Sequence, residues 1–251
     1  MTPAEAAANM LADTDYFFKY YPVKMFGGAA PWVPNAENIK GYHVCRAAGA
    51  ADPQGNVGKV GHFGATRPGK IFGCRTHNIS SFQMRPNGQE NYASQHSPMV
   101  NTCGVPMVNY NSDAYGGLNL HGNIAAMDYY VAGAGGNYLT TGGLSGCCFA
   151  WCETGGNLRC VHILPHGNLP TGAAITGDVL QTDLGATGRF QGMPGQVLST
   201  FGFLDYGVRR ASVIGVRTIG SWKLYAQISI DGFNRITEVW QIHPGPRRQI
   251  R

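Results

Sequence analysis

A cysteine and a histidine in one short segment of this chain could together form a nucleophilic site. Cys147 follows a glycine-rich stretch, and His162 comes fifteen residues later, after a second turn at Gly155-Gly156. A nucleophilic cysteine needs a neighbouring base, and an imidazole can serve as one. If the segments flanking Gly155-Gly156 are antiparallel neighbours, His162 can approach the sulfur. An imidazolium in that place would lower the pKa of the thiol and supply thiolate at neutral pH.

The residues before the cysteine predict a tight turn. Gly142, Gly143 and Gly146 permit backbone conformations that are closed to residues with a Cβ, so the turn can direct the thiol outward. The turn Leu144-Ser145-Gly146-Cys147 can also present consecutive backbone N–H groups. Such groups would form an oxyanion hole for a tetrahedral intermediate built on the cysteine.

The same residues allow non-catalytic interpretations. Cys147 could be a small buried residue at a turn, and His162 a core histidine with a satisfied hydrogen bond. A zinc site could draw four ligands from six residues, although a second CxxC pair is missing. The six residues are Cys147, Cys148, Cys152, Cys160, His162 and His166. In an exported protein, a disulfide among Cys148, Cys152 and Cys160 is a further alternative.

The segment from Thr141 to His162 resembles the motif of the bacterial glutamine-deamidase toxins, the family of Burkholderia lethal factor and the catalytic domain of cytotoxic necrotising factor. Members of that family have a Leu-Ser-Gly-Cys turn and a histidine on the next strand, and lethal factor has a threonine six residues before its cysteine. Leu144-Ser145-Gly146-Cys147, His162 and Thr141 match these positions. The resemblance implies a β-sandwich-like core and a Cys147–His162 dyad that converts a glutamine of a target protein into glutamate.

The resemblance also implies the roles of the other residues and the partners. Leu144, Ser145 and Gly146 would form the oxyanion turn, and Thr141 would support that turn or touch the substrate amide. A backbone carbonyl would orient the histidine. Family analogy suggests a small GTPase or a translation factor as the target, and a cognate immunity protein as a further partner. No cofactor or metal is expected. A cysteine peptidase or a transglutaminase with the same dyad, or a non-catalytic β-rich binding protein, is the alternative.

Composition limits the classes of function. The chain has 251 residues, and only 13 % of them are charged, about half the usual share of roughly 25 %. Its 36 glycines are dispersed, as is typical of a turn-rich globular protein. The net charge is +5, but no basic stripe is interleaved with aromatic residues, so we do not expect a nucleic-acid partner. The mild positive charge favours an acidic protein partner instead.

The cysteines and the N-terminus bear on localisation. Seven cysteines cannot all pair within one chain, and a chain of this size needs no disulfide scaffold, so we expect mostly thiols and a reducing compartment. The N-terminus lacks a basic start followed by an apolar run, so it does not read as a signal peptide. No apolar run is long enough to predict a membrane span. With the resemblance, this predicts an effector secreted without a classical signal peptide that acts in the target-cell cytoplasm.

The patterns along the chain predict a single α+β domain, residues 1–251, with an extended β core. The resemblance implies that this core is β-sandwich-like, with mixed sheets flanked by helices and long loops. A capping box predicts a helix from about Pro3 to Leu11. Segments that predict strands are 128–132, 158–164, 212–217, 222–230 and 235–242, with a hairpin turn at Asp231-Gly232, and short strand pieces such as 70–73 lie between 26 and 122. Alternation in 222–230 favours a half-buried strand. The region 175–194 shows no clear period.

Overall fold

The computed structural model describes the chain in segments, which are residues 2–21, 23–25, 30–31, 39–46, 82–86, 98–110, 130–132, 136–169, 171–188, 196, 198–219, 221–230 and 235–250. These residues form an α+β fold in which two mixed β-sheets are accompanied by a few helices. The helices are α1 (Pro3–Ala12), α2 (Thr14–Tyr20), α3 (Gly177–Thr187) and α4 (Phe203–Tyr206). The predicted fold class, an α+β mixed-sheet core, is confirmed.

The described strands fall into two sheets. In chain order they are β1 (Val23–Met25), β2 (Ala30–Pro31), β3 (Ile39–Arg46), β4 (Phe82–Pro86), β5 (Met99–Gly104), β6 (Pro106–Asn109), β7 (Tyr130–Ala132), β8 (Tyr138–Thr140), β9 (Cys148–Thr154), β10 (Asn157–Leu164), β11 (Ser199–Phe201), β12 (Arg210–Thr218), β13 (Ser221–Ile230), β14 (Arg235–His243) and β15 (Arg248–Gln249). The larger sheet has the order β1-β4-β3-β5-β8-β12-β13-β14-β15. The smaller sheet has the order β11-β9-β10-β6-β2, and β7 pairs with β10.

The two sheets pack face to face, with helices on both outer faces. The core between the sheets contains Trp151 of the smaller sheet and Trp222 of the larger one, both almost fully buried. A second core lies between the larger sheet and α1 and α2, and a third lies between the smaller sheet and α3. The described residues thus form four layers, helix, sheet, sheet and helix, and each sheet is covered on both faces.

The N-terminal helix begins as predicted. Thr2 is its N-cap and forms a reciprocal capping box with Glu5. A second helix, α2, follows at once and was not predicted. Asp13 ends α1 and also caps α2, because its side chain accepts a hydrogen bond from the Tyr16 N–H. One acidic residue therefore separates the two helices.

The strands predicted in the C-terminal third are confirmed as β12, β13 and β14, which pair antiparallel in chain order. The prediction that 222–230 is half-buried is wrong. Tyr225 and Gln227, which it placed toward solvent, are fully buried. Because α1 and α2 cover this face, the Gln227 amide must form its hydrogen bonds within the protein. Its oxygen accepts from the Val23 N–H, and its nitrogen donates to the Val23 carbonyl. The alternating residues Tyr225 and Gln227 therefore lie on the face of the sheet that the helices cover.

The region 175–194, whose sequence shows no clear period, contains α3 from Gly177 to Thr187. Its apolar contacts with the smaller sheet come from Leu180 and Leu184. Two buried leucines four residues apart are a weak periodic signal, and tertiary packing supplies the rest of the stabilisation. The predicted strand 158–164 is confirmed as β10. Of the predicted strand 128–132, residues 130–132 form β7, and residues 128–129 lie outside the described residues. The strand piece at 70–73 and the turn at 231–232 lie outside the described residues.

In the part of the chain that the structure describes, no helix is both long enough and apolar enough to span a membrane.

Candidate active site

A hairpin brings the candidate cysteine and histidine close together. Strands β9 and β10 are antiparallel, and the two-residue turn between them is Gly155-Gly156, with φ of 59° and 74°. Two consecutive positive φ values are typical of the type I′ turn, which matches the twist of a hairpin and which glycine adopts without strain. The antiparallel arrangement on which the sequence hypothesis depended is therefore present.

The register of this hairpin places the two side chains on one face. Phe149 lies directly opposite His162 in the ladder, and Cys147 precedes Phe149 by two residues. Because side chains alternate along a strand, Cys147 shares the face of Phe149 and is a diagonal neighbour of His162. Diagonal neighbours of this kind have their Cα atoms roughly 7–8 Å apart. The shared face is the inner one, which points at the larger sheet.

Thr141 reaches His162 from the opposite sheet. It follows strand β8, and its Oγ1 lies 2.7 Å from Nδ1 of His162. The hydroxyl can donate to Nδ1 or accept from it, depending on the tautomer of the ring. The resemblance implied that Thr141 supports the turn or touches the substrate and that a backbone carbonyl orients the histidine. The structure places the threonine hydroxyl itself against the ring.

The other ring nitrogen of His162 faces the protein interior. Nε2 is buried and has no hydrogen-bond partner among the described residues. A buried polar atom without a partner costs free energy and is characteristic of a site built for something other than packing. His162 is thus held through Nδ1 and leaves Nε2 available as a base.

Burial dominates the electrostatics of the pair. Cys147 is 3 % exposed and His162 is 1 % exposed. Burial raises the pKa of the Cys147 thiol, and a backbone hydrogen bond from Ser145 opposes this rise in part. Burial lowers the pKa of His162 to about 4. The sequence hypothesis that an imidazolium depresses the thiol pKa is therefore wrong for this arrangement, because burial disfavours the charged forms of both groups.

The turn that carries the thiol is anchored at both ends. Leu144 and Ala211 exchange two backbone hydrogen bonds, of 2.7 and 3.0 Å, which attach the turn to the start of β12. Gly146 has φ of 94°, a value that favours glycine. The hydroxyl of Tyr206 accepts from the Gly146 N–H at 2.8 Å and donates to the Cys147 carbonyl at 2.8 Å. A side chain from α4 thus spans the peptide that precedes Cys147.

These contacts narrow the choice of oxyanion donors. The turn was expected to offer the N–H groups of Leu144, Ser145 and Gly146. The N–H of Leu144 donates to Ala211, and that of Gly146 donates to Tyr206. The Ser145 backbone lies against the Cys147 sulfur. This leaves the N–H groups of Ser145, which faces the sulfur, and of Cys147 as the candidates for binding an oxyanion that forms on a carbon bonded to that sulfur.

The geometry argues against the zinc interpretation. Cys147, Cys160 and His162 share the inner face of the hairpin, whereas Cys148 and Cys152 lie on the outer face against α3. Side chains on opposite faces of a strand pair cannot converge on one tetrahedral ion. Within the described ranges, no group of three or more potential ligands could hold a metal. The five cysteines whose side chains are described are all thiols, namely Cys103, Cys147, Cys148, Cys152 and Cys160.

Sequence reasoning missed two residues that shape this site. Tyr206 lies fifty-nine residues after Cys147 in a four-residue helix, and Gly177 begins α3. A Cβ at Gly177 would lie 2.4 Å from the carbonyl oxygen of Gly146. Neither residue belongs to a recognisable motif, since each acts through a contact between segments distant in the sequence. Only the tertiary structure identifies them.

The buried state of the dyad predicts how Cys147 reacts. We expect Cys147 of the folded protein to be alkylated at pH 7 no faster than an ordinary thiol of pKa about 8.5, with the rate rising only in alkaline solution. We also expect the pH profile to change little in His162→Gln, because the resting histidine is uncharged. Iodoacetamide labelling from pH 5 to pH 10, read by peptide mass mapping, gives both profiles. Selective labelling of Cys147 well below pH 8 that disappears in His162→Gln would contradict the uncharged resting pair.

No protein-family model matches this chain, and no curated protein matches its sequence. The chemistry of the site must therefore be argued from the placement of its own residues. The resemblance of the motif to the deamidase toxins supplies a hypothesis about the reaction.

Proposed function

We propose that this chain is a cysteine-dependent protein glutamine deamidase that acts as a bacterial toxin or effector. The observation that supports the proposal best is the register of β9 and β10, which makes Cys147 a diagonal neighbour of His162 on the inner face, while the Thr141 hydroxyl lies 2.7 Å from Nδ1. This arrangement has the parts of a nucleophile–base–orienter site. The motif from Thr141 to His162 adds the resemblance to the toxin family.

The first half of the reaction forms a thioester. With Nδ1–H donating to Thr141, the Nε2 lone pair of His162 accepts the proton of the Cys147 thiol as sulfur attacks the carboxamide carbon of glutamine. The oxyanion that forms is stabilised by the N–H groups of Ser145 and Cys147. The carbon–nitrogen bond then breaks, the leaving nitrogen takes the proton from His162, and ammonia departs.

The second half returns the enzyme to its starting state. Water attacks the thioester carbon and gives a proton to Nε2 of His162. The carbon–sulfur bond breaks, and the Cys147 thiolate recovers that proton from the histidine. The net reaction converts one glutamine and one water into glutamate and ammonia. If a primary amine takes the place of water, the same site performs transglutamination.

The burial of the site adds a requirement. Because the thiol of Cys147 is 3 % exposed, a glutamine side chain can reach it only if a neighbouring segment is displaced. The tip of the turn at Gly143 and Ser145 is exposed and is the natural point of approach. A folded target protein that presents its glutamine on a loop could supply the binding energy for this displacement.

The test is a product analysis on candidate targets. We expect the chain to raise the mass of one specific glutamine-containing peptide by about one dalton, the change from amide to acid, in a panel of small GTPases and translation factors. Parallel reactions with a fluorescent primary amine separate transglutamination from hydrolysis, and chain cleavage would indicate a peptidase. If every glutamine in the panel keeps its mass and no amine is incorporated, the proposal fails for these target classes. A non-catalytic binding role then becomes the better explanation.

A further inference from the structure

We propose that Tyr206 is a positioning residue that holds the Gly146–Cys147 peptide so that the Cys147 N–H serves as the oxyanion donor. This inference rests on the proposed function. Tyr206 is 1 % exposed, and its hydroxyl makes both of its hydrogen bonds to the backbone of the catalytic turn. Its aromatic ring belongs to the core between the two sheets.

The two hydrogen bonds of Tyr206 flank one peptide plane. The hydroxyl accepts from the N–H of Gly146 and donates to the carbonyl of Cys147, so the peptide between these atoms is bridged from both sides. That peptide consists of the Gly146 carbonyl and the Cys147 N–H. A trans peptide is planar and its carbonyl and N–H point in opposite directions. Fixing either group therefore fixes the other.

Gly177 locates the carbonyl of this peptide. The Gly146 oxygen approaches Gly177 so closely that a Cβ there would lie 2.4 Å from it, and 2.7 Å from the Cβ of Phe203. The carbonyl thus points toward the start of α3. The Cys147 N–H must point away from Gly177, and the Tyr206 bridge prevents the peptide from rotating.

Helix α4, which carries Tyr206, is itself braced. The Asp205 carboxylate accepts from the Gly202 N–H at 2.8 Å and from Gln181 Nε2 at 2.6 Å, and it pairs with Arg247. Gln181 also accepts from the Leu204 N–H at 2.8 Å. Four residues alone would form a weak helix, but these side chains attach it to α3. The hydroxyl of Tyr206 is consequently held in a defined place.

The state of the hydroxyl suits this role. Burial raises the pKa of Tyr206, and a negative charge on Cys147 would raise it further. The phenol therefore stays protonated and keeps donating to the Cys147 carbonyl while the sulfur carries charge. Tyr206 does not need to touch the substrate, since it acts through the backbone.

The central test removes only the hydroxyl. In Tyr206→Phe we expect kcat for deamidation to fall about 10- to 100-fold while KM changes less than about twofold, because a displaced donor weakens transition-state binding more than substrate binding. The matched control is Tyr138→Phe. Tyr138 also donates from a buried hydroxyl to a backbone carbonyl, that of Ala7 at 2.7 Å, but on the opposite face of the larger sheet. The kcat of the Tyr138→Phe variant should equal that of the wild type.

A second variant acts on the same peptide from the other side. In Gly177→Ala the added methyl group collides with the Gly146 carbonyl, so kcat should fall here too. This variant decides the question if Tyr206→Phe does not fold. Equal kcat values in the wild type and Tyr206→Phe, or an equal loss in Tyr206→Phe and Tyr138→Phe, would overturn the proposal.

Amide hydrogen exchange separates this inference from the proposed function. The Gly146 amide should be protected in the wild type and in Tyr138→Phe, and should exchange at least about tenfold faster in Tyr206→Phe, whether or not a substrate has been found. If this difference in exchange is seen but the wild type has no deamidase activity, the proposed function is wrong and the positioning role of Tyr206 stands. Unchanged exchange of Gly146 in Tyr206→Phe would show that the hydroxyl does not hold the turn.

Discussion

Replacement of Cys147 by alanine is expected to reduce deamidation at least about 10⁴-fold, since removing the nucleophile of a covalent mechanism removes the whole reaction path. The protein should remain folded. The side chain lost is small, and the turn is anchored by the backbone bonds between Leu144 and Ala211 and by Tyr206. Mass mapping of the target glutamine gives the activity, and urea unfolding gives the stability.

The adjacent cysteine provides the matched control. Cys148 is fully buried, but it lies on the outer face of the hairpin against α3, where it cannot meet His162. Cys148→Ala also truncates a buried cysteine to alanine, so it should lower the free energy of unfolding by a similar amount to Cys147→Ala. Its activity should stay within a few fold of that of the wild type. If the Cys147 variant retains activity, the thiol is not the nucleophile. If both variants lose activity equally, the effect is one of packing.

The placement of Cys147 and His162 illustrates what local sequence can predict. The hairpin could be predicted from a Gly-Gly turn between two apolar segments. Because side chains alternate along a strand, the hairpin register then puts Cys147 and His162 on the same face. The helix at the N-terminus required only its capping residues Thr2 and Glu5. Both features arise from interactions between residues close in the sequence, so both could be predicted from the sequence.

The features that sequence reasoning missed depend on contacts between distant segments. The alternating pattern predicts that Tyr225 and Gln227 lie on the exposed face of a strand, but in the structure α1 and α2 cover them. Tyr206 reaches the catalytic turn because α4 packs on α3. The pKa of His162 is lowered by burial, which depends on how the two sheets pack and which composition does not reveal. Burial turned the expected ion pair into an uncharged pair.

That uncharged pair has a thermodynamic consequence, since the folded protein binds a proton at His162 less readily than the unfolded chain does. The pKa is about 6.5 in an unfolded chain and about 4 in the folded protein. Between these values the unfolded state holds more protons, so the free energy of unfolding falls as the pH falls. The stabilisation is fully present above pH 6.5, and about 3 kcal/mol of it is lost by pH 4.

The variant His162→Gln isolates this effect. Glutamine cannot be protonated in this range, so its unfolding free energy should lack the part of the pH dependence that His162 supplies. The control is His166→Gln, because the His166 side chain is exposed just beyond the same strand. It should keep the dependence of the wild type. Urea unfolding at intervals between pH 4 and pH 7 measures all three proteins, and parallel curves for the wild type and His162→Gln would contradict a buried neutral histidine.

The same ionisation should govern catalysis. If Nε2 of His162 is the base, kcat/KM on the acid side follows the pKa of the histidine in the free enzyme. With that pKa near 4, activity should persist below pH 5, whereas a solvated histidine would lose it near pH 6.5. A loss of activity centred near pH 6.5, in a protein whose free energy of unfolding falls between pH 6.5 and pH 4 because of His162, would show that the base is not His162. A loss of activity centred near pH 4 in the same protein would assign one buried imidazole to both stability and chemistry.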